Sequence, residues 1–136
     1  VPAVATARSV VRALEALEAA RIAVATPYTG ELDDRERDFL EESGFHVASI
    51  DGRGLEANTD IGALTSDDAS RQVLEHVGDD DLDAVFVSCT NYRSLAAVDG
   101  LEAKLGVPVI TSNGATLWDV CGAAGFAVDG PGTLFD

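Results

Sequence analysis

The sequence is short of positive charge. Nine Lys and Arg stand against 24 Asp and Glu, a net of −15, and Lys104 is the only lysine. Such a surface repels phosphate backbones, so no nucleic-acid partner is expected. Long apolar runs are also missing. None approaches the ~20 residues of a membrane span, so no membrane partner is expected. No basic, then apolar, then small-residue stretch opens the sequence. A secretory signal is therefore not expected, and a cytoplasmic location is. Cysteine is scarce: Cys89 and Cys121 make no disulfide scaffold and have no zinc-type spacing, so no metal is expected. Neither a GxxxxGK phosphate loop nor a GxSxG elbow occurs. DGRG at 51–54 lacks a third glycine and opens no helix, so it is no dinucleotide fingerprint.

What is present fits one domain. With 136 residues and 46% hydrophobic composition, disorder is excluded as a description of the whole. A chain of this size buries roughly two-thirds of its surface in a single core. Aspartate outnumbers glutamate, 15 to 9. Excess Asp, almost no Lys and a well-filled core suggest a halophile's protein kept soluble in concentrated salt. An ordinary acidic bacterial protein is the alternative.

Helix-like and strand-like segments alternate. Residues 6–20 carry Val10, Val11, Leu14, Leu17 and Ala20 at helical spacing. Arg21–Thr26 reads as a buried strand stopped by Pro27. Residues 31–43 read as an acidic helix with Leu32, Phe39 and Leu40 inward and Gly44 as its cap. A strand over His46–Ile50 follows, then a loop over 51–60. A helix over 66–77 opens with Ser66 as N-cap and Asp67 and Asp68 in its first turn. Asp79–Asp83 reads as a solvated loop and Ala84–Ser88 as a strand. A helix over 92–105 ends at Gly106. A fourth strand over Val107–Thr111 and a helix over 113–124 complete the pattern. The tail from Phe126 has no periodicity and reads as an arm or a cut segment. The expected fold is α/β, a four-stranded parallel sheet with helices on both faces, a flavodoxin-like layer.

In such sheets ligands bind beyond the carboxyl ends of the strands. Four polar edges are expected there: Thr26-Pro27-Tyr28, the loop with Asn58 and Thr59, Ser88-Cys89-Thr90-Asn91, and Thr111-Ser112-Asn113. Cys89 is the most informative residue. It follows a strand and is expected to precede a helix capped by Thr90 or Asn91. Unpaired amides and the positive end of the helix dipole would then favour a thiolate. A cysteine that packs as a small hydrophobe is the competing reading. Cys121 reads as core packing. His46 and His76 read as surface or satisfied histidines. Tyr28 could be an aromatic plug, and Asn58 an ordinary turn asparagine.

Taken together, five segments become specific. TPY at 26–28, ERDFLEESGFHV at 36–47, GLEANTDIG at 54–62, FVSCTNYRSL at 86–95 and LGVPVITSNGATLW at 105–118 occur in one order. Their order and spacing resemble the maleate cis–trans isomerase and arylmalonate decarboxylase group of the Asp/Glu racemase superfamily. The resemblance covers nearly the whole chain.

The resemblance implies two similar α/β domains with the active site between them and one cysteine from each. In the isomerases one thiolate adds to C2 of maleate, the adduct rotates, and the other cysteine delivers or removes the proton at C3. No cofactor or metal is used. Cys89 matches the second-domain cysteine and takes the proton-transfer role. Tyr28 matches the tyrosine that binds a substrate carboxylate, and Asn58 an asparagine of similar use. Amides near Thr90 and Asn91 would also serve a carboxylate. A decarboxylase or racemase with the same site, and a non-catalytic small-acid binding module, stay open.

The resemblance places this chain at the second domain. Residues 1–20 are expected to be a leading helix and 21–111 the α/β domain with half an active site. Residues 112–136 would be a final helix and tail that pack on a first domain or a partner chain. A homodimer is expected, with a small dicarboxylate as ligand.

Overall fold

The computed structural model describes residues 3–76 and 81–136. Four strands make one parallel sheet in the order β2-β1-β3-β4. They are β1 Arg21–Thr26, β2 His46–Gly52, β3 Ala84–Val87 and β4 Val109–Thr111. Side chains alternate across a strand, so β1, β3 and β4 feed two cores, while β2 adds Val47 to the first alone. Ile22, Val24, Phe86 and Ile110 face one side. Ala25, Val85, Val87 and Val109 face the other.

Among the described residues the α-helices are α1 Thr6–Ala16, α2 Gly30–Glu42, α3 Asn58–Gly62, α4 Ser66–His76, α5 Val98–Leu105 and α6 Ser112–Ala124. Leu14 of α1, Leu40 of α2 and Ala115 of α6 pack on the first side. Val73 of α4 and Leu101 of α5 pack on the second. The expected α/β layer with helices on both faces is therefore the observed one. Among the described residues no helix is long and apolar enough to cross a membrane.

Strand order reverses at β1. The chain leaves β1 through α2 to β2 on one side, and β3 then pairs with β1 on the other. A crevice opens at such a switch point beyond the carboxyl ends. It lies between the turn after β1 and the turn after β3, which carry Tyr28 and Cys89.

Several elements differ from the sequence reading. The helix expected over 92–105 starts later, as a 3-10 turn at Leu95–Ala97 that leads into α5. Tyr92 and Ser94 are buried instead. The Tyr92 hydroxyl bonds α4, which holds residues 92–94 out of helical geometry. The loop after β2 contains α3. The tail is not a free arm. Gly132 and Thr133 donate backbone N–H groups to Asp99 and Glu102, and Leu134 is buried. Asp83 is more than a solvated loop residue. It accepts the Ala20 and Arg21 amides at 2.9 and 2.8 Å, which hold its carboxyl below the usual range. Asp79 and Asp80 lie outside the described residues.

Helices α1 and α6 are joined by a buried carboxylate. Asp119 accepts from Ser9 Oγ at 2.8 Å and from Arg12 at 2.9 Å. Ser9 is fully buried. Replacing Asp119 with Ala leaves that hydroxyl without its acceptor, and Asp119→Ala is expected to lower stability by about 1–3 kcal/mol. Urea unfolding of the variant measures it. Leu117 and Val120 on α6, with Phe126 after it, remain exposed.

Candidate active site

A cavity of about 360 Å³ fills the crevice. Its polar wall is Tyr28, Glu36, Ser88, Cys89, Thr90 and Ser112. Its apolar wall comes from Val10 of α1, Phe39 and Leu40 of α2, and Phe86 of β3.

The turn after β1 is built by the hydroxyl of Thr26. It donates to the buried carboxylate of Asp33 and accepts the Tyr28 amide at 3.1 Å. Asp33 is raised from its ordinary value by burial, opposed by the Thr26 bond and aided by the Asp51 and Asp34 charges. This knot fixes Tyr28 at the cavity. Burial raises the Tyr28 hydroxyl well above its ordinary value; neighbouring Cys89 and the Glu36 charge push the same way, and Ser88 opposes them. Tyr28 therefore stays a neutral hydrogen-bond donor over the physiological range.

Cys89 is partly buried and sits at φ +94°, in the region that favours glycine. Its amide donates to Ser112 Oγ at 3.0 Å, and its carbonyl accepts the Tyr92 amide. Ser112 is the first residue of α6, whose N-cap Thr111 accepts the Gly114 amide at 2.9 Å. The helix whose N-terminus lies beside Cys89 is thus α6, not the one that follows in sequence. Thr90 and Asn91 cap no helix. The thirteen residues of α6 still bring a positive dipole end to this wall, which favours anions.

The structure brings together three of the five expected site residues: Cys89, Tyr28 and Thr90 share the cavity. Asn58 and Asn91 do not line it; both are exposed and are joined to each other. Asn91 Nδ2 donates to the Asn58 carbonyl at 2.7 Å. Asn113 Nδ2 likewise holds the Thr90 carbonyl at 2.9 Å. Both asparagine amides fasten the Cys89 turn to its neighbours. Among the described residues no three His, Cys, Asp or Glu side chains converge to hold a metal.

Glu36 is the residue that sequence reasoning missed. Of the residues expected to face inward on this helix, Leu40 is buried, whereas Leu32 and Phe39 are exposed. Glu36 stands four residues before Leu40 and three before Phe39, and both of these line the cavity. That spacing puts it on the same helix face, and it was the available signal. Its Oε1 accepts Ser88 Oγ at 2.5 Å. Its Oε2 is buried and meets no protein partner. Burial raises its pKa, the Ser88 bond opposes this, and the Asp33 charge adds to it.

A carboxyl with a raised folded-state pKa supports the fold fully below its unfolded value, near 4. That support is lost as pH rises through the folded value. Glu36→Gln removes the penalty. The variant is expected to be more stable than the parent at neutral pH by about 1–2 kcal/mol, the scale of an unsatisfied buried polar group. The difference should vanish near pH 4. Thermal melts at the two pH values check it.

Comparison with known proteins adds the family. The family model for arylmalonate decarboxylase matches residues 1–135. The arylmalonate decarboxylase of Bordetella bronchiseptica is 31% identical over 141 residues, covering 99% of this chain and 58% of that protein. A maleate isomerase of Pseudomonas putida is 32% identical over 119 residues, covering 86% of this chain and 47% of its own. A solved maleate cis-trans isomerase of Nocardia farcinica superposes with a TM-score of 0.90 at 26% identity, covering 96% of this chain and 54% of that one. It is a cysteine-to-serine mutant with a covalently bound succinylcysteine intermediate. The chain spans about half the length of the curated relatives it matches. It belongs to the arylmalonate decarboxylase family.

Proposed function

We propose that this chain carries one of the two thiols of a cysteine-dependent, cofactor-independent isomerase of a small dicarboxylate, of the maleate-to-fumarate type. The observation that carries the reading is the position of Cys89. It shares a cavity with the neutral donor Tyr28 and adjoins the N-terminus of α6. A thiol beside carboxylate-binding donors suits proton transfer at the carbon next to a bound carboxylate.

In the proposed sequence a thiolate from outside this chain forms a bond to C2 of maleate. The electron pair of the double bond moves to C3 and takes the proton of Cys89. The saturated adduct turns about C2–C3. The Cys89 thiolate then removes a proton from C3, the C2–S bond breaks, and fumarate leaves with the first thiolate restored. Tyr28, with the amide end of α6, would hold one carboxylate throughout. Thr90 would shape the wall around it, and Asn58 and Asn91, bonded to each other outside the lining, would brace the Cys89 turn. The succinylcysteine intermediate in the Nocardia isomerase supports a covalent thiol adduct in this sequence.

The same site could serve decarboxylation, a reading supported by the family model and by the 99% coverage against the Bordetella decarboxylase. There Cys89 would protonate the carbanion left after carbon dioxide departs. The exposed Leu117, Val120 and Phe126 support burial of residues 112–136 against a first domain or a second copy. The test is proton NMR of the protein at its natural length, mixed in turn with maleate and with phenylmalonate. Fumarate from maleate is the expected result. Phenylacetate without fumarate would replace isomerisation by decarboxylation. Binding of dicarboxylates without turnover of either would support the non-catalytic module.

A further inference from the structure

Glu36 is out of place in a cavity meant for a dianion. It contributes to the wall that also holds Tyr28 and Cys89. One of its oxygens is occupied by Ser88 and the other is buried without a protein partner. Among the described residues that line the cavity none is a cation. The other residues that line this cavity from α1, Thr6, Ala7 and Val10, carry no charge, and neither does Ser112 of α6. The titratable groups that face it are Tyr28 and Cys89, with Asp33 on its own helix adding negative charge. An ionised Glu36 would therefore place a fixed negative charge against any carboxylate in the cavity, in a setting where burial weakens screening.

We propose that Glu36 sets the charge of this cavity: it is held as a neutral acid whenever a dicarboxylate is bound, so binding takes up a proton wherever the free protein carries Glu36 ionised. The proposal rests on the dicarboxylate reading above. Two other parts of the wall favour a bound anion. Tyr28 keeps its proton, and the α6 amides offer partial positive charge. Glu36 is the group there whose ionisation reverses that pattern. The raised pKa of Glu36 in the free protein agrees with this direction, and a bound dianion would raise it further.

The sign follows from linkage. Below the free-state pKa of Glu36, both free and bound forms are protonated and affinity is flat. Between the free and bound values, affinity falls as pH rises, by about tenfold per pH unit when one proton is taken up. A glutamine at this position is neutral at every pH and removes the slope.

The experiment is titration calorimetry with succinate, a saturated four-carbon dicarboxylate that cannot isomerise, on the protein at its natural length. It is run from weakly acidic to weakly basic pH, in pairs of buffers with different ionisation enthalpies, to count protons. Glu36→Gln serves as the reference for proton exchange by the ligand and by Cys89. The expected result is proton uptake by the parent in excess of the variant. The variant should also bind succinate more tightly than the parent at the basic end. Equal proton counts and equal pH slopes in the two proteins would overturn the assignment of Glu36 and leave the dicarboxylate reading standing. Absence of succinate binding, together with no fumarate from maleate, would overturn both. If the glutamine variant folds poorly, Glu36→Ala replaces it as the reference, and proton counts equal to the parent's again overturn the assignment.

Discussion

Replacing Cys89 with glycine is expected to make the protein harder to unfold and to stop its chemistry. The backbone at this position has φ +94°, where a side chain is strained and glycine is not. Holding a non-glycine residue there costs of order 1–3 kcal/mol. Glycine relieves that strain but gives back about 1 kcal/mol through the freer unfolded chain. The net expectation is a gain of up to about 1–2 kcal/mol, read as a higher urea midpoint. The thiol is lost at the same time. If Cys89 moves the proton, turnover should fall by at least about a thousandfold, near the upper part of the range for a positioned acid or base. Alanine makes the comparison informative. Cys89→Ala should lose the same activity with no gain in stability. A glycine variant that melts lower than the alanine variant would mean that the turn is not strained. The strained residue is the one that bears the thiol, and the bonds from Cys89 to Ser112 and Tyr92 hold it in place.

The second large effect is expected at Tyr92. This side chain is fully buried and among the largest so placed. Its hydroxyl donates to Gln72 Oε1 at 2.8 Å and accepts from Arg53 Nε at 3.1 Å. Gln72 in turn donates to the Thr26 carbonyl at 2.8 Å, at the end of β1. Tyr92 thus links the turn after β3 to α4 and to the strand that leads to Tyr28. Tyr92→Ala empties a ring-sized volume, which costs about 3–5 kcal/mol in cores. That is a large share of the 5–15 kcal/mol typical of a domain. Tyr92→Phe keeps the ring and loses the hydroxyl bonds, for about 1 kcal/mol. Urea unfolding of the pair separates packing from hydrogen bonding. Equal losses in the two variants would place the whole effect in the polar network.

Much of the architecture is legible in the sequence because local signals and tertiary packing agree. The apolar stripe expected over 6–20, of which Thr6–Ala16 is helical, the run Arg21–Thr26 before Pro27 and the glycine caps at 44 and 106 each point one way. The segment from Thr90 to Ser94 is different. Its residues suit a helix start, but burial of Tyr92 against α4 outweighs that local preference. The candidate site divides along the same line. Tyr28, Cys89 and Thr90 can be placed from strand ends alone, because topology carries strand ends to one edge. The helix that serves Cys89 cannot be read from chain order, since α6 reaches it across the sheet from β4. Glu36 hides in an acidic helix, where charge suggests solvent and only its spacing to Phe39 and Leu40 suggests otherwise. Asp119 hides in the same way in α6, where its partners Ser9 and Arg12 lie more than a hundred residues away.

The most direct test is a paired assay of the natural-length protein and its Cys89→Ser variant. Fumarate formation from maleate is followed by NMR, and succinate binding is measured on the same samples. The expected result is fumarate from the parent, at least about a thousandfold less from the variant, and succinate affinity within about threefold between them. A serine variant that makes fumarate within about tenfold of the parent would contradict the assignment of proton transfer to Cys89.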